Sequence, residues 1–470
     1  MGVIMEYSRM PRVGRRQFIQ LGASGLLLPE YFNLRAHSKP SQNTSFAAGF
    51  GQAKSCIVLF AWGGLSHLDS LDPKPDAESG IRGTFRPIKT TVPGIQVSEH
   101  LPQFARTMQE WAIVRSVHHN APSHRSGAYW NLTGHEPPNL SGNWPASRAD
   151  WPSIGSMVWE ALGDGHGPIP GTVALPYTLY DGGTANGQDA GFLGLKRDPA
   201  VFYPNSEGFR LYDGKSPSSG RIDLSLPQGL TETRLRRRRG FLGKIDGHST
   251  RQNLDEQENA QALAQQKAFD LLLSAEAQDA FDLEKETPAM RESYGMHVCG
   301  QSVLTARRLI EAGVPLATVY CAAGDLNGSK GAHFDTHADN FNRLKNQMLP
   351  PLDQAASALI RDLKQRGLLD ETLVVLLTEF GRTPRIGGNA GRDHYPNCYS
   401  VAFAGGGIAG GQAYGKSDPI GAFPAEKACG PADLHATVFH ALGIPSDQVL
   451  YDREDRPLPM CDGTALPLFS

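Results

Sequence analysis

The residue types able to do chemistry in this sequence are densest between Gly331 and Gly411. Asp335 and His337 lie in Gly331-Ala332-His333-Phe334-Asp335-Thr336-His337. Glu379 and Arg382 follow the apolar run Leu373-Val374-Val375-Leu376-Leu377, and Asp393 and His394 precede a second run, Val401-Ala402-Phe403-Ala404. Short continuous apolar runs read as strands buried on both faces, which leaves the acids and imidazoles in loops. In open α/β sheets, ligands bind outside the carboxyl ends of the strands. Carboxylates mixed with imidazoles suit divalent cations, and two cations about 4 Å apart would clamp the attacking and leaving oxygens of a displacement. Metal-dependent hydrolysis is the chemistry this mixture points to.

Two earlier segments offer groups to the same crevice. Cys56-Ile57-Val58-Leu59-Phe60-Ala61 reads as a strand, and Gly63-Gly64 and then Ser66, His67 and Asp69 follow it. His67 and Asp69 either join the metal ligands or cap the local turn. Ala112-Ile113-Val114-Arg115-Ser116-Val117 is a further strand. It leads into His118, His119, Ser123, His124, Arg125 and Ser126, and then a helix over Ala128 to Leu132 that Gly134 stops. A serine turn opening a helix is a ready anion site, so Ser123 or Ser126 is a candidate nucleophile; the alternative for either is an ordinary N-cap. Arg125 or Arg382 would steady an anionic group through paired donors.

The elements that must position these groups fit one large α/β domain over residues 53–470. Leu352, Ala355, Ala356, Leu359, Ile360 and Leu363 recur at helical spacing, which predicts a packing helix before Glu379. Helices are also predicted over 252–286, 300–313 and 433–442, and a strand over 315–320. This alternation indicates a parallel sheet with crossover helices. The stretch 151–212, rich in Gly, Pro and aromatics, reads as long loops walling a cleft. Arg234 and Arg236 to Arg239 form a basic run on a helix, best read as a solvated face.

A chain of 470 residues with 40% hydrophobic and 20% charged residues can bury a sizeable core, and its net charge of −3 gives no reason to expect nucleic acid as a partner. The six cysteines include no CxxC pair, and their spacing leaves free thiols and disulfides both open. Residues 1–36 read as a signal segment, with Arg15-Arg16-Gln17-Phe18 ahead of a modest apolar run, which is similar to a twin-arginine export signal and points to the periplasm. That run is too short to span a bilayer. Residues 37–52 read as a linker.

Arg15-Arg16-Gln17-Phe18, Trp62-Gly63-Gly64-Leu65-Ser66-His67-Leu68-Asp69, Asp335-Thr336-His337, Glu379-Phe380-Gly381-Arg382-Thr383 and Gly391-Arg392-Asp393-His394 together resemble the bacterial family called domain of unknown function 1501. That family is similar to the alkaline phosphatase and sulfatase superfamily. The resemblance implies an alkaline-phosphatase-like, mostly parallel sheet flanked by helices with long inserted loops, and one or two divalent ions, with zinc, manganese and calcium all open. Leu132-Thr133-Gly134 looks like the end of the sulfatase signature, which puts His124 in the nucleophile slot. Asp335, His337 and His394 look like metal ligands. Glu379 stands where the superfamily has Asp-His, Trp62 stands in place of an early metal-binding Asp, and no Cys-x-Pro-x-Arg occurs. The expectation is an exported hydrolase of phosphate or sulfate esters, on small molecules or polysaccharide. The alternative is a non-catalytic metal-binding or surface-assembly protein on the same fold.

Overall fold

The strand runs singled out above assemble into one eight-stranded sheet in a computed structural model, which describes residues 48–142, 144–164, 169–202, 231–246, 266–322, 324–327 and 332–470. The expected arginine pair and signal segment lie outside the described residues. Ala48–Ser470 forms one compact unit. Its sheet strands, in chain order, are β1 (Ser55–Phe60), β2 (Trp111–Val117), β3 (Thr172–Leu175), β4 (Ala200–Val201), β5 (Leu316–Tyr320), β6 (Thr372–Leu377), β7 (Tyr399–Ala404) and β8 (Gln412–Tyr414). The spatial order is β8-β2-β7-β6-β1-β5-β3-β4.

Strand β1 is central and pairs in parallel with β5 on one side and β6 on the other, matching Val58 to Thr318 and to Val375. Every residue of β1, β5 and β6 is buried, which explains why these runs are apolar without alternation. Helices cover the sheet. Among them α2 (Val298–Glu311) and α3 (Leu349–Arg366) bury the predicted stripe, including Leu352, Ala356 and Leu359. The mostly parallel α/β architecture is therefore as expected.

Two details differ. Strand β7 is antiparallel to both β6 and β2. No crossover helix separates β6 from β7, and only a crossover forces the next strand to run parallel. The 151–212 stretch is also more than loop, since it supplies helix Ile154–Leu162, strand β3 and edge strand β4. A four-residue strand among glycines and prolines has too short a period to stand out. Elsewhere, all six cysteines are free thiols. The basic run lies on helix Glu232–Asp246, where Arg234 and Arg236 to Arg238 are exposed. No helix among the described residues is long and apolar enough to cross a membrane.

This topology brings the chemistry to one edge. Seven strands run the same way, so the segments after β1, β2, β5 and β6 all leave the same side of the sheet. Because β7 runs backwards, the segment before it, which carries Asp393 and His394, arrives there too.

Candidate metal centre

Asp335 lies at the middle of this edge. Its Oδ1 has His124 Nε2 at 3.2 Å, His337 Nε2 at 3.0 Å, His394 Nε2 at 3.3 Å and Arg382 Nη2 at 2.6 Å. His124, Asp335 and His394 each offer one ligand atom, and these atoms lie within 4.8 Å of one another.

His124 opens α1 (His124–Thr133), which packs its 124, 127 and 131 face on the Glu379 segment. A Cβ at Gly127 would stand 3.0 Å from the Glu379 carbonyl, so a small residue suits that position. Asn131 Nδ2 donates to the same carbonyl at 2.9 Å, and His119 Nε2 also contacts it at 2.7 Å. Burial pushes His119 down to about 4, which keeps it neutral. Gly134, at φ 76°, ends α1 as expected.

The outer nitrogen of each imidazole meets a group that only accepts. His124 Nδ1 faces Glu379 Oε1 at 2.7 Å, His394 Nδ1 faces the Pro122 carbonyl at 2.8 Å, and His337 Nδ1 faces Asp393 Oδ1 at 2.7 Å. In the neutral ring, each proton is therefore assigned to Nδ1 from its partner. Three Nε2 lone pairs then converge on one carboxylate oxygen. His337 Nε2 and His394 Nε2 are only 2.9 Å apart, and the buried His124 Nε2 is in no hydrogen-bond geometry with any described group. Lone pairs in such a cluster require positive charge between them.

Without an ion, ring protons and Arg382 supply that charge. Burial opposes charge on His124, yet Asp335 and Glu379 beside it outweigh that and hold its pKa above the ordinary histidine value. Contact with Asp335 likewise raises His337, while burial lowers His394. Burial works against ionised Asp335, but the three imidazoles hold its carboxyl far below the usual carboxylate range. Trp62 and Phe380 wall His124 with ring centroids at 5.3 and 4.9 Å. Gly63 has φ 107°, and a Cβ there would stand 2.4 Å from the Asp335 amide, so this turn requires glycine.

Set beside this geometry, a family model described as "Protein of unknown function (DUF1501)" matches residues 53–467. The chain belongs to this family. No curated protein matches it in sequence. The DUF1501 chain is similar in structure to the lipoteichoic acid synthase LtaP from Listeria monocytogenes, at 12% identity and a TM-score of 0.39, over 86% of this chain and 76% of that one. It is similar to the phosphonate monoester hydrolase SpPMH from Silicibacter pomeroyi, at 13% identity and 0.35, over 88% and 76%. A protein in the alkaline phosphatase superfamily from Vibrio parahaemolyticus is similar at 11% identity and 0.37, over 84% and 68%. At such scores the chemistry of the DUF1501 chain is argued from its own side chains.

Several residues singled out in the sequence stand outside the inner cluster. Glu379 is fully buried and holds His124 and the Gly63 amide with Oε1, so it orients that imidazole from behind. Asp393 does the same for His337 from the solvent side. Asp69 is fully buried, and Arg392 grips both its oxygens at 2.8 and 3.2 Å, with Ser66 and Asn340 also bound to it. His67 Nε2 contacts the Gly421 carbonyl at 2.8 Å. Ser126 donates to the Leu140 carbonyl at 2.7 Å, and Ser123 packs against Gly142. Arg125 reaches the Trp144 carbonyl and Asn186. Arg382 spends its donors on the carbonyls of Gly63, Gly64 and Arg392 and on Asp335. Sequence reasoning missed the Pro122 carbonyl, which carries no side-chain signal. It also missed Asn131, for which the 3-and-4 spacing from His124 through Gly127 was a usable sign.

Proposed function

We propose that this crevice binds a divalent metal ion and that the protein is a metal-dependent hydrolase of phosphate or sulfate esters, on small molecules or polysaccharide. The convergence of three imidazole lone pairs on Asp335 carries this reading. His124, Asp335 and His394 would hold the ion, with His337 beside them. A divalent cation there would act as a Lewis acid toward an ester oxygen and lower the pKa of a water molecule.

The protein groups have separable roles. Glu379, the Pro122 carbonyl and Asp393 fix the tautomers of His124, His394 and His337, as outer partners of metal-bound histidines do. Arg382 fixes Asp335. Trp62 and Phe380 keep water from the back of His124. Since the hydroxyl of Ser126 is committed to backbone, the attacking group in this reading is water. His337, exposed at the mouth with Asp393 behind it, takes its proton at Nε2.

One observation favours a non-catalytic metal-binding protein instead. The guanidinium of Arg382 is spent on the Gly63, Gly64 and Arg392 carbonyls and on Asp335, so it does not remain to steady an anionic ester. Turnover of an aryl phosphate and an aryl sulfate by the metal-loaded protein separates the two. Hydrolysis that His394→Ala abolishes supports the enzyme. Metal binding without turnover of either ester supports the binding protein.

Export to the periplasm through the twin-arginine route is the accompanying proposal, and Arg15-Arg16 with Phe18 supports it.

A further inference from the structure

We infer that the centre selects an imidazole-preferring transition ion of the zinc class and rejects calcium and magnesium. This rests on the metal-site reading above and adds the identity of the ion. Four acidic residues were candidates by sequence, namely Asp69, Asp335, Glu379 and Asp393. Only Asp335 presents an oxygen to the cluster. Glu379 Oε1 is taken by His124 and by the Gly63 amide at 2.8 Å, Asp393 lies behind His337, and Asp69 is taken by Arg392. The inward donors are therefore His124 Nε2, His394 Nε2 and one carboxylate, with His337 Nε2 beside them.

Calcium needs six to eight oxygens and magnesium about six, drawn largely from carboxylates, carbonyls and water. Zinc takes histidine nitrogen and one carboxylate in a tetrahedron. With bonds of about 2.0 Å, the edge of that tetrahedron is about 3.3 Å. The separations of His124 and His394 from Asp335 Oδ1 are 3.2 and 3.3 Å. Charge points the same way. The buried Arg382 lies 2.6 Å from Asp335 Oδ1 and offsets the one negative charge that would attract a hard ion.

The test presents ions singly to chelator-stripped wild-type protein, followed by desalting and elemental analysis. Zinc and cobalt should each be retained at one equivalent from about 10 μM, whereas calcium and magnesium should leave none from about 1 mM. His394→Ala should lose the zinc. In His337→Asp, which exchanges a nitrogen for a carboxylate at an exposed position, retention of manganese relative to zinc should rise about tenfold. Stoichiometric calcium or magnesium that His394→Ala abolishes would overturn the inference and leave the metal site standing. Retention of no ion at all would overturn both. Because the wild type alone decides between hard and borderline ions, a variant that fails to fold does not blunt the test.

Discussion

His124 and Glu379 stand 255 positions apart in the chain, yet Nδ1 of one faces Oε1 of the other at 2.7 Å, with both side chains buried. This contact decides which nitrogen of His124 keeps its lone pair, and so whether the imidazole is a ligand. Glu379→Gln keeps an acceptor for His124 and the Gly63 amide but removes the charge. It should weaken metal binding about 10–100-fold with little change in the melting of the metal-free protein. Isothermal titration beside a thermal scan checks this, and unchanged affinity would deny Glu379 its orienting role.

Asp69 should behave in the opposite way. Its carboxylate serves Arg392, and both side chains are completely buried. Asp69→Ala strands the guanidinium and should destabilise the fold by about 3–5 kcal/mol. Metal stoichiometry of whatever fraction folds should stay at the wild-type value. Urea unfolding with metal analysis tests both halves, and a loss of metal without a loss of stability would return Asp69 to the ligand set.

Acid should weaken the fold through histidines far from the metal centre. His297 caps α2 by accepting the Gly300 amide on Nδ1, and burial pushes it down to about 4 from 6.5. The unfolded chain then binds more protons between those values, so this stability is fully present above pH 6.5 and is lost as pH falls toward 4. The loss should be of order 1–3 kcal/mol. His297→Asn retains a capping acceptor and removes the titration. Urea unfolding at pH 7 and 4.5 should show a smaller drop for the variant, and equal drops would remove His297 from the account.

Export is tested by replacing Arg15 and Arg16 together with Lys, which preserves charge. The twin-arginine reading expects the double variant to stay in the cytoplasm, as followed by fractionation. Unchanged export would reassign the leader.

Much of the fold was legible because β1, β2, β5, β6 and β7 are apolar runs between turn signals. β3 was not, because Thr172–Leu175 is short and set among glycine and proline. The direction of β7 was also hidden, since a loop of any path joins it to β6. In the site, His124, Asp335, His337 and His394 were legible as residue types following strands. The division into an inner cluster and outer supports was not, because it depends on which atom of each side chain faces which partner. Asp69 shows why: it resembles a ligand until Arg392, 323 positions away, closes on it. Arg382 shows the reverse, a side chain suited to anions whose donors three backbone carbonyls and Asp335 use up.

The most direct test of the metal centre is elemental analysis of purified wild type after chelation and readdition of a divalent ion. The account predicts one equivalent per chain, lost in His394→Ala and retained in Asp433→Ala, since Asp433 only caps the Gly430 and Thr464 amides. Wild-type protein that binds no divalent ion would contradict it, and the cluster around Asp335 would then be an ion-pair network held by Arg382.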